Sequence, residues 1–234
     1  MTDSRFDLGL YALPEAARLA RVPRQTLRNW VVGYRYPSMG GSIRAQPVIQ
    51  PTIGAQATSL SFVNLVEALT LAGFREMGVP LQRVRNALEY ATKVLEVEHL
   101  LASERILSDG LDLFWEFQER SHESHLVNIS QGGQKVFPEA VGRYLREVEW
   151  GDDSFATRWW PGARRAREGS VVVDPNRAFG APVLAGTGVR TEDVFSRFSA
   201  GESIAQLSEE YGLPISQVES AIRLEAAFLE PVAA

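Results

Sequence analysis

The chain has 234 residues, of which 45% are hydrophobic and 23% are charged, and it contains no cysteine. This composition is typical of a folded protein with a hydrophobic core, and the length is sufficient for two small domains. The lack of cysteine excludes disulfides, a thiolate nucleophile and cysteine-based zinc sites. No apolar run is long enough to span a membrane and the N-terminus lacks a signal-peptide pattern, so we expect a cytoplasmic protein without a membrane partner.

Charge is distributed unevenly along the sequence. Up to Thr58 there are seven arginines and three acidic residues, a net charge of +4, so the remainder must carry −9 to reach the total of −5. Such asymmetry is expected when one end of a protein faces an anionic partner and the other end has a different role. The basic N-terminal part is therefore the candidate for contact with nucleic acid.

The segment from Tyr11 to Arg35 predicts two short helices joined by a tight turn. Pro23 separates the two helices, since proline is tolerated only in the first turn of a helix. In the second helix Leu27, Trp30 and Val31 recur at a spacing of three and four, which predicts that they form the inner face. The spacing is that of a helix-turn-helix, with hydrogen-bond donors on the outer face.

The outer face of this second helix suits the edges of DNA bases. Arginine can pair with guanine through two hydrogen bonds, and glutamine or asparagine can pair with adenine in the same way. The predicted base-reading residues are Arg24, Gln25, Thr26, Arg28 and Asn29, and the predicted phosphate-binding residues are Arg18, Arg21, Arg35 and Arg44. The alternative is an ordinary solvated helix face.

Residues 36–59 contain two Gly/Pro-rich turns and two short apolar pieces, which predict a small hairpin or wing with Arg44 at its tip. Helical periodicity follows from Phe62 to Met77 and from Leu81 to Leu95. This succession resembles the MerR-type winged helix-turn-helix, and the resemblance rests on Thr26-Leu27-Arg28, Trp30, Leu60-Ser61-Phe62, Phe74, Gly78 and Leu81.

Residues 109–168 are predicted to form a connecting α+β region and strap. Alternating patterns between Gly110 and Phe137 indicate strands, a helix is expected from Pro138 to Trp150, and residues 155–169 are expected to be irregular. The last part combines aromatic and basic residues, as interface hot spots do: Trp159, Trp160, Arg164, Arg165 and Arg167. They are predicted either to bind a partner or to cap the C-terminal core. His122 and His125 are predicted to be solvated rather than to bind a metal.

The C-terminal residues follow a distinctive order. Val171–Val173 predict a short strand, Asp174-Pro175 its turn, and Thr191–Phe198 a helix. Ser203 can cap a helix that ends at Gly212, and a last helix is expected from Pro214 to Phe228. The order resembles the DUF433 family, in which Arg190 matches the arginine of the pattern, and the domain is expected over residues 169–234.

The AGTGVR stretch lacks the Lys-Ser/Thr of a P-loop, so we expect a structural turn rather than a nucleotide site. The helices between Ser203 and Phe228 form a second helix-turn-helix pattern in the chain. Acidic residues flank it, so packing or dimerisation is favoured over DNA contact. We find no paired carboxylates, catalytic triad or metal cluster, and we expect no enzyme and no cofactor.

The DUF433 resemblance implies a VapB-like antitoxin of a type II toxin–antitoxin pair. Such a protein would neutralise a PIN-like ribonuclease toxin and repress its own operon as a homodimer on operator DNA. Charge alone makes Arg164, Arg165, Arg167 or Arg190 candidates for sealing an acidic catalytic centre. Two alternatives are a stand-alone MerR-like regulator, whose C-terminal part dimerises or binds an effector, and a scaffold without DNA affinity. The expected fold is mainly α with small β elements, with a winged helix-turn-helix domain over residues 1–108.

Overall fold

The computed structural model describes residues 3–38, 41–51, 59–76, 78, 80–96, 98–106, 142, 144–163, 166–167 and 169–230. In these residues the helices are α1 (Ser4–Asp7), α2 (Leu13–Leu19), α3 (Arg24–Val32), α4 (Phe62–Glu76), α5 (Leu81–Leu95), α6 (Thr191–Ser199), α7 (Ile204–Tyr211) and α8 (Ile215–Leu229). The strands are β1 (Tyr11–Ala12), β2 (Tyr34–Ser38), β3 (Gly41–Ala45), β4 (Ser59–Leu60), β5 (Val148–Trp150), β6 (Ala156–Trp159), β7 (Val171–Val172) and β8 (Val183–Leu184), and they pair antiparallel as β1–β4, β2–β3, β5–β6 and β7–β8.

The N-terminal unit is a helix-turn-helix domain packed on a buried central helix. Every residue of α4 from Phe62 to Phe74 is buried. Leu27, Trp30 and Val31 of α3 are buried in the same core, which confirms the inner face predicted from their spacing. A helix buried on all sides needs cover from several elements, and α4 shares its core with residues of both α2 and α3.

The chain leaves α3 through Gly33 and enters the β2–β3 hairpin. Gly33 has φ +77, and a Cβ there would lie 2.3 Å from the carbonyl oxygen of Ala45, so only glycine fits. In the hairpin register Arg35 lies opposite Arg44, and the neighbouring residues Tyr34 and Ala45 lie opposite each other at the end nearest α3. The prediction that Arg44 lies at the tip is therefore wrong, because the hairpin begins and ends earlier in the sequence than residues 36–59.

The connecting region differs from the sequence prediction where it is described. Residues 148–150 form strand β5 instead of the end of a helix, and residues 156–159 form β6 instead of an irregular strap. The backbone of Trp159 exchanges two hydrogen bonds with that of Val173, so the strap continues into the C-terminal domain. The strands predicted between Gly110 and Phe137, and the two histidines there, lie outside the described residues.

The C-terminal domain follows its predicted elements closely. Ser203 caps α7 with a capping box completed by Gln206, and Gly212 ends the helix in the left-handed conformation at φ +64. These are local signals that need no tertiary contact to act. A small core of six buried residues joins α6, α7 and α8 to the β7–β8 pair: Val171, Leu184, Val194, Leu207, Val218 and Ala221.

The two ends of the chain are in contact. Phe228 of α8 is buried in the N-terminal core, and Leu224 packs against both cores. The last helix thus lies against α2 of the helix-turn-helix. Across the part of the chain that is described, no helix combines the length and the apolar character that crossing a bilayer requires.

Candidate functional site

The outer face of α3 is available for contact. Arg24, Gln25 and Arg28 are exposed, while Thr26 and Asn29 are half-buried. Within the described residues neither Arg24 nor Arg28 forms an ion pair or hydrogen bond, and Gln25 Nε2 donates to Asn29 Oδ1 over 2.8 Å. The helix therefore presents two free guanidinium groups and a pre-aligned amide pair on one surface, which is the chemistry that base edges in the major groove require.

The hairpin beside α3 places two more guanidinium groups together. Arg35 and Arg44 are directly opposite in the antiparallel register, both are exposed, and neither has an acidic partner within the described residues. Directly opposed like charges destabilise a strand pair. On the opposite face of the hairpin the rings of Tyr34 and Tyr36 lie 5.8 Å apart, and the Arg85 guanidinium lies 5.5 Å from the Tyr34 centroid. An anion bound between Arg35 and Arg44 would relieve their repulsion.

We expect the double variant Arg35→Ala/Arg44→Ala to reduce the salt dependence of DNA binding. The slope of log K against log salt is negative, and each lost phosphate contact reduces its magnitude by about 0.9. The double variant should therefore reduce the magnitude by about 1.8 on any duplex sequence. Fluorescence anisotropy over a salt series measures this slope. An unchanged slope would show that the hairpin does not contact phosphate.

Arg18 and Arg21 are placed differently from the other predicted phosphate-binding residues. Arg18 Nη1 lies 2.6 Å from Glu225 Oε2 of α8, and its guanidinium covers the Phe228 ring at 5.2 Å. The Glu225 side chain is 4% exposed, and its other oxygen accepts a hydrogen bond from the Thr191 hydroxyl. Arg21 pairs with Glu230 at 3.0 Å on the surface. In this structure both arginines form ion pairs that connect the helix-turn-helix to the C-terminal domain.

The residues of the strap are mostly engaged within the fold. Trp159 is 3% exposed and donates its indole N–H to Glu147, so it belongs to the core and offers no surface to a partner. Trp160 is half-buried, and its indole N–H and the Arg167 guanidinium both bond the Glu149 carboxylate. Arg164 and Arg165 lie outside the described residues. The structure favours the capping role over the partner-binding role for Trp159.

Arg190 lies at the junction of the Gly-rich turn and α6. Its Nη2 lies 2.9 Å from Glu192, while its buried Nε has no hydrogen-bond partner. The turn before it uses its own polar groups, because Thr187 Oγ1 donates to the Leu184 carbonyl and accepts from the Val189 amide. The turn has a structural role, and the partly exposed end of the Arg190 side chain is paired with Glu192.

Sequence reasoning missed the turn that carries Phe179. Ala178 and Phe179 have φ of +46 and +55, and Gly180 follows at +77, which makes a single left-handed turn. For a residue other than glycine this conformation costs about 1–2 kcal/mol. The Phe179 side chain is also 89% exposed. The only local sequence signal is the neighbouring Gly180. A glycine indicates a turn, but it does not indicate that the turn is left-handed or that Phe179 is exposed.

A cavity of about 920 Å³ lies where α1, α4 and the start of the connecting region meet. Phe6 and Phe155 form part of its wall, with their rings edge to face at 5.2 Å. The buried Glu67 accepts hydrogen bonds from Asn64 and from the imidazole Nδ1 of His99 at 3.0 Å. A pocket with apolar walls and a few converging polar groups is suited to a small ligand.

The His99–Glu67 pair should make stability depend on pH. The hydrogen bond that the His99 imidazole donates to Glu67 raises the pKa of His99 above its usual 6.5, against the opposing effect of burial. The resulting stabilisation is complete below pH 6.5 and is lost as the pH rises through the higher folded-state value. We expect the melting temperature of the parent, relative to His99→Gln, to fall as the pH rises above about 6.5. An equal change of melting temperature with pH in the two proteins would contradict this.

Family models match both ends of the chain. One described as "Putative DNA-binding HTH domain" matches residues 9–88, and one described as "Protein of unknown function (DUF433)" matches residues 171–224. The helix-turn-helix prediction and the DUF433 resemblance are thereby confirmed. The first match covers α2, α3, the hairpin, α4 and half of α5, which are the elements that carry the free arginines.

Similar proteins extend over nearly the whole chain. The chain is 38% identical to "Putative antitoxin VapB45" of Mycobacterium tuberculosis (strain ATCC 25618 / H37Rv), over 95% of this chain and 96% of that protein. It is 25% identical to "Uncharacterized protein Rv2308" of the same strain, over 94% and 91% of the two chains. The X-ray crystal structure of Rv2018 from Mycobacterium tuberculosis matches with a TM-score of 0.68 and 31% identity, over 93% of this chain and 99% of that one.

Proposed function

Because the chain belongs to the same family as the protein named "Putative antitoxin VapB45", we propose that it is the antitoxin of a type II toxin–antitoxin pair. It would neutralise a PIN-like ribonuclease and repress the operon that encodes both proteins. The observation that carries the DNA-binding part is the free donor face of α3 beside the opposed arginines of the hairpin. The near full-length similarity to a named antitoxin supports the toxin-neutralising part.

The DNA contact we propose is of the MerR-like winged type. The α3 residues Arg24, Gln25, Arg28 and Asn29 read bases, with Thr26 beside them, while Arg35 and Arg44 hold phosphates. One such helix covers only a few base pairs, so a homodimer is expected on a two-fold operator with half-sites about one helical turn apart. Arg18 and Arg21 can join the phosphate contacts only after their ion pairs with α8 open.

The toxin contact is proposed on the C-terminal half. A PIN-like ribonuclease has an acidic catalytic centre, which an arginine can seal by charge-assisted hydrogen bonds. Arg190 is supported by its side chain, which is 43% exposed, and Arg167 by its exposure despite its bond to Glu149. Trp160 is half-buried beside Arg167, and Arg164 and Arg165 remain candidates by charge. We leave Trp159 out of the proposed contact because it is buried.

Co-expression tests the proposal directly. If the proposal holds, a PIN-like ribonuclease encoded beside this chain should arrest growth when it is expressed alone and should be harmless when this chain is expressed with it. The two proteins should then co-purify and should shift the operon's promoter in a gel. The matched control is the same toxin with a chain truncated by a stop codon at Gly169, which removes the DUF433 domain. Continued arrest with the full chain would refute the antitoxin function.

A second candidate function is favoured by the cavity at His99. A stand-alone MerR-like regulator would need a small-molecule site joined to its DNA-binding domain, and this cavity adjoins the buried helix α4, on which α2 packs. The absence of a nuclease gene beside this chain would favour the regulator. A salt-independent interaction with DNA, or none, would instead favour the scaffold.

A further inference from the structure

We propose that Phe179 is the anchor residue through which this chain holds its protein partner, the toxin, in an apolar socket bordered by carboxylates. The inference rests on the proposed antitoxin function and names a contact surface for it. It starts from two unfavourable features that coincide at one residue. The side chain is 89% exposed, and its backbone has φ +55 and ψ +36 in a left-handed turn.

The turn is well defined by its own hydrogen bonds. The Gly180 amide donates to the Arg177 carbonyl over 2.8 Å, and the Ala181 amide donates to the Ala178 carbonyl over 3.1 Å. A left-handed backbone at two consecutive non-glycine residues persists only when the surrounding structure determines it strongly. Strain of this kind concentrates at binding and switch regions, and exposed aromatic residues are enriched among interface hot spots.

Buried groups fix the C-terminal end of the turn. The hydroxyl of the buried Tyr11 donates to the Gly180 carbonyl over 2.9 Å. A Cβ at Gly180 would lie 2.4 Å from that hydroxyl oxygen, so the two residues are in close contact. Tyr11 belongs to β1, at the entrance to the helix-turn-helix. The turn is thus attached to the N-terminal domain as well as to its own.

The N-terminal end of the turn is fixed by the buried Asp174. Its carboxylate accepts from the Asn176 amide over 2.9 Å and from Arg158 Nε over 2.8 Å, and its carbonyl accepts from the Arg177 amide. With both ends held, Phe179 is displayed in one orientation before any partner arrives. Such preorganisation reduces the entropy lost on binding.

Charge next to Phe179 indicates the chemistry of the partner. Arg177 begins the same turn and is largely exposed, while the Asp174 carboxylate near it is buried. Arg177, two residues before Phe179, therefore adds an exposed positive charge to the same turn. A second copy of this chain fits poorly, because a two-fold contact centred on Phe179 would bring Arg177 close to its own copy. A partner surface with carboxylates around an apolar socket fits well, as an acidic ribonuclease would provide.

The test is capture, by the 234-residue chain, of a PIN-like ribonuclease encoded beside it. We expect Phe179→Ala to weaken the dissociation constant on the order of 30-fold, the effect of a hot-spot residue. Its melting temperature should stay within about 1 °C of the parent, because the side chain is exposed. The control is Phe198→Ala, which removes a partly exposed phenylalanine from an ordinary helical position in α6 and should bind as the parent does.

Phe179→Gly separates the binding role from a structural one. Glycine accepts the left-handed backbone, so this variant should melt about 2–4 °C higher than the parent while it loses the toxin. If the parent binds the toxin and Phe179→Ala binds it equally well, the inference is wrong. It is also wrong if Phe179→Ala loses only DNA binding or self-association. A parent chain that never binds the toxin would overturn the proposed function itself.

Discussion

Replacing Arg28 by alanine is expected to weaken binding to the operator by about 5- to 150-fold and to relax the base preference at one position of each half-site. Arg28 lies on the exposed face of α3, and within the described residues its guanidinium has no partner to give up when it reaches a base. The full energy of a two-bond contact with guanine is therefore available. No compensating ion pair needs to be broken.

Anisotropy titrations of the promoter fragment at fixed salt measure this effect. The matched control is Arg223→Ala, which removes an exposed arginine from α8, where Glu219 pairs with it at 2.8 Å. Arg28→Ala should lose part of its discrimination between the operator and a scrambled duplex, whereas Arg223→Ala should keep all of it. If Arg28→Ala binds the operator as tightly as the parent, α3 is not the recognition helix.

Replacing Arg18 by alanine is expected to destabilise the fold by about 3 kcal/mol. The variant leaves Glu225, whose side chain is 4% exposed, with the Thr191 hydroxyl as its remaining described hydrogen-bond partner. A buried carboxylate that loses its counter-ion costs far more than a surface pair that is broken. The ion pair also joins α2 to α8, so the domain contact should loosen.

Urea denaturation of Arg18→Ala and Arg21→Ala gives a matched comparison. Both arginines belong to the helix-turn-helix and both pair with a glutamate near the end of the chain, but the Arg21–Glu230 pair is exposed on both sides. Arg21→Ala should therefore cost less than about 1 kcal/mol. The double variant Arg18→Ala/Glu225→Gln should recover much of the loss, since it removes the buried charge. Equal effects of the two single variants would contradict a structural role for Arg18.

These two residues show how local and distant signals differ. Arg28 was assigned to an exposed face from the spacing of Leu27, Trp30 and Val31, which follows from helical geometry alone. The structure confirms that Leu27, Trp30 and Val31 are buried together, because helix periodicity depends only on residues that are close in the sequence. Arg18 was assigned to phosphate binding by the same kind of reasoning, but its partner lies 207 positions away in the sequence. No local pattern could reveal that pairing.

The sequence by itself determined helices α2 to α8, the Ser203 and Gly212 caps and the two family resemblances, because capping residues, proline, glycine and apolar spacing act within a few positions of each other. The Ser203 cap and the Gly212 stop are confirmed as predicted. Tertiary structure alone decided which arginines stay free, that Trp159 is buried, and that Phe179 is held outward in a left-handed turn. Ion pairing, burial and backbone strain depend on groups brought together only by folding, and in the described residues they distinguish the unpaired arginines of α3 from Arg18 and Arg21, which pair with glutamates near the end of the chain.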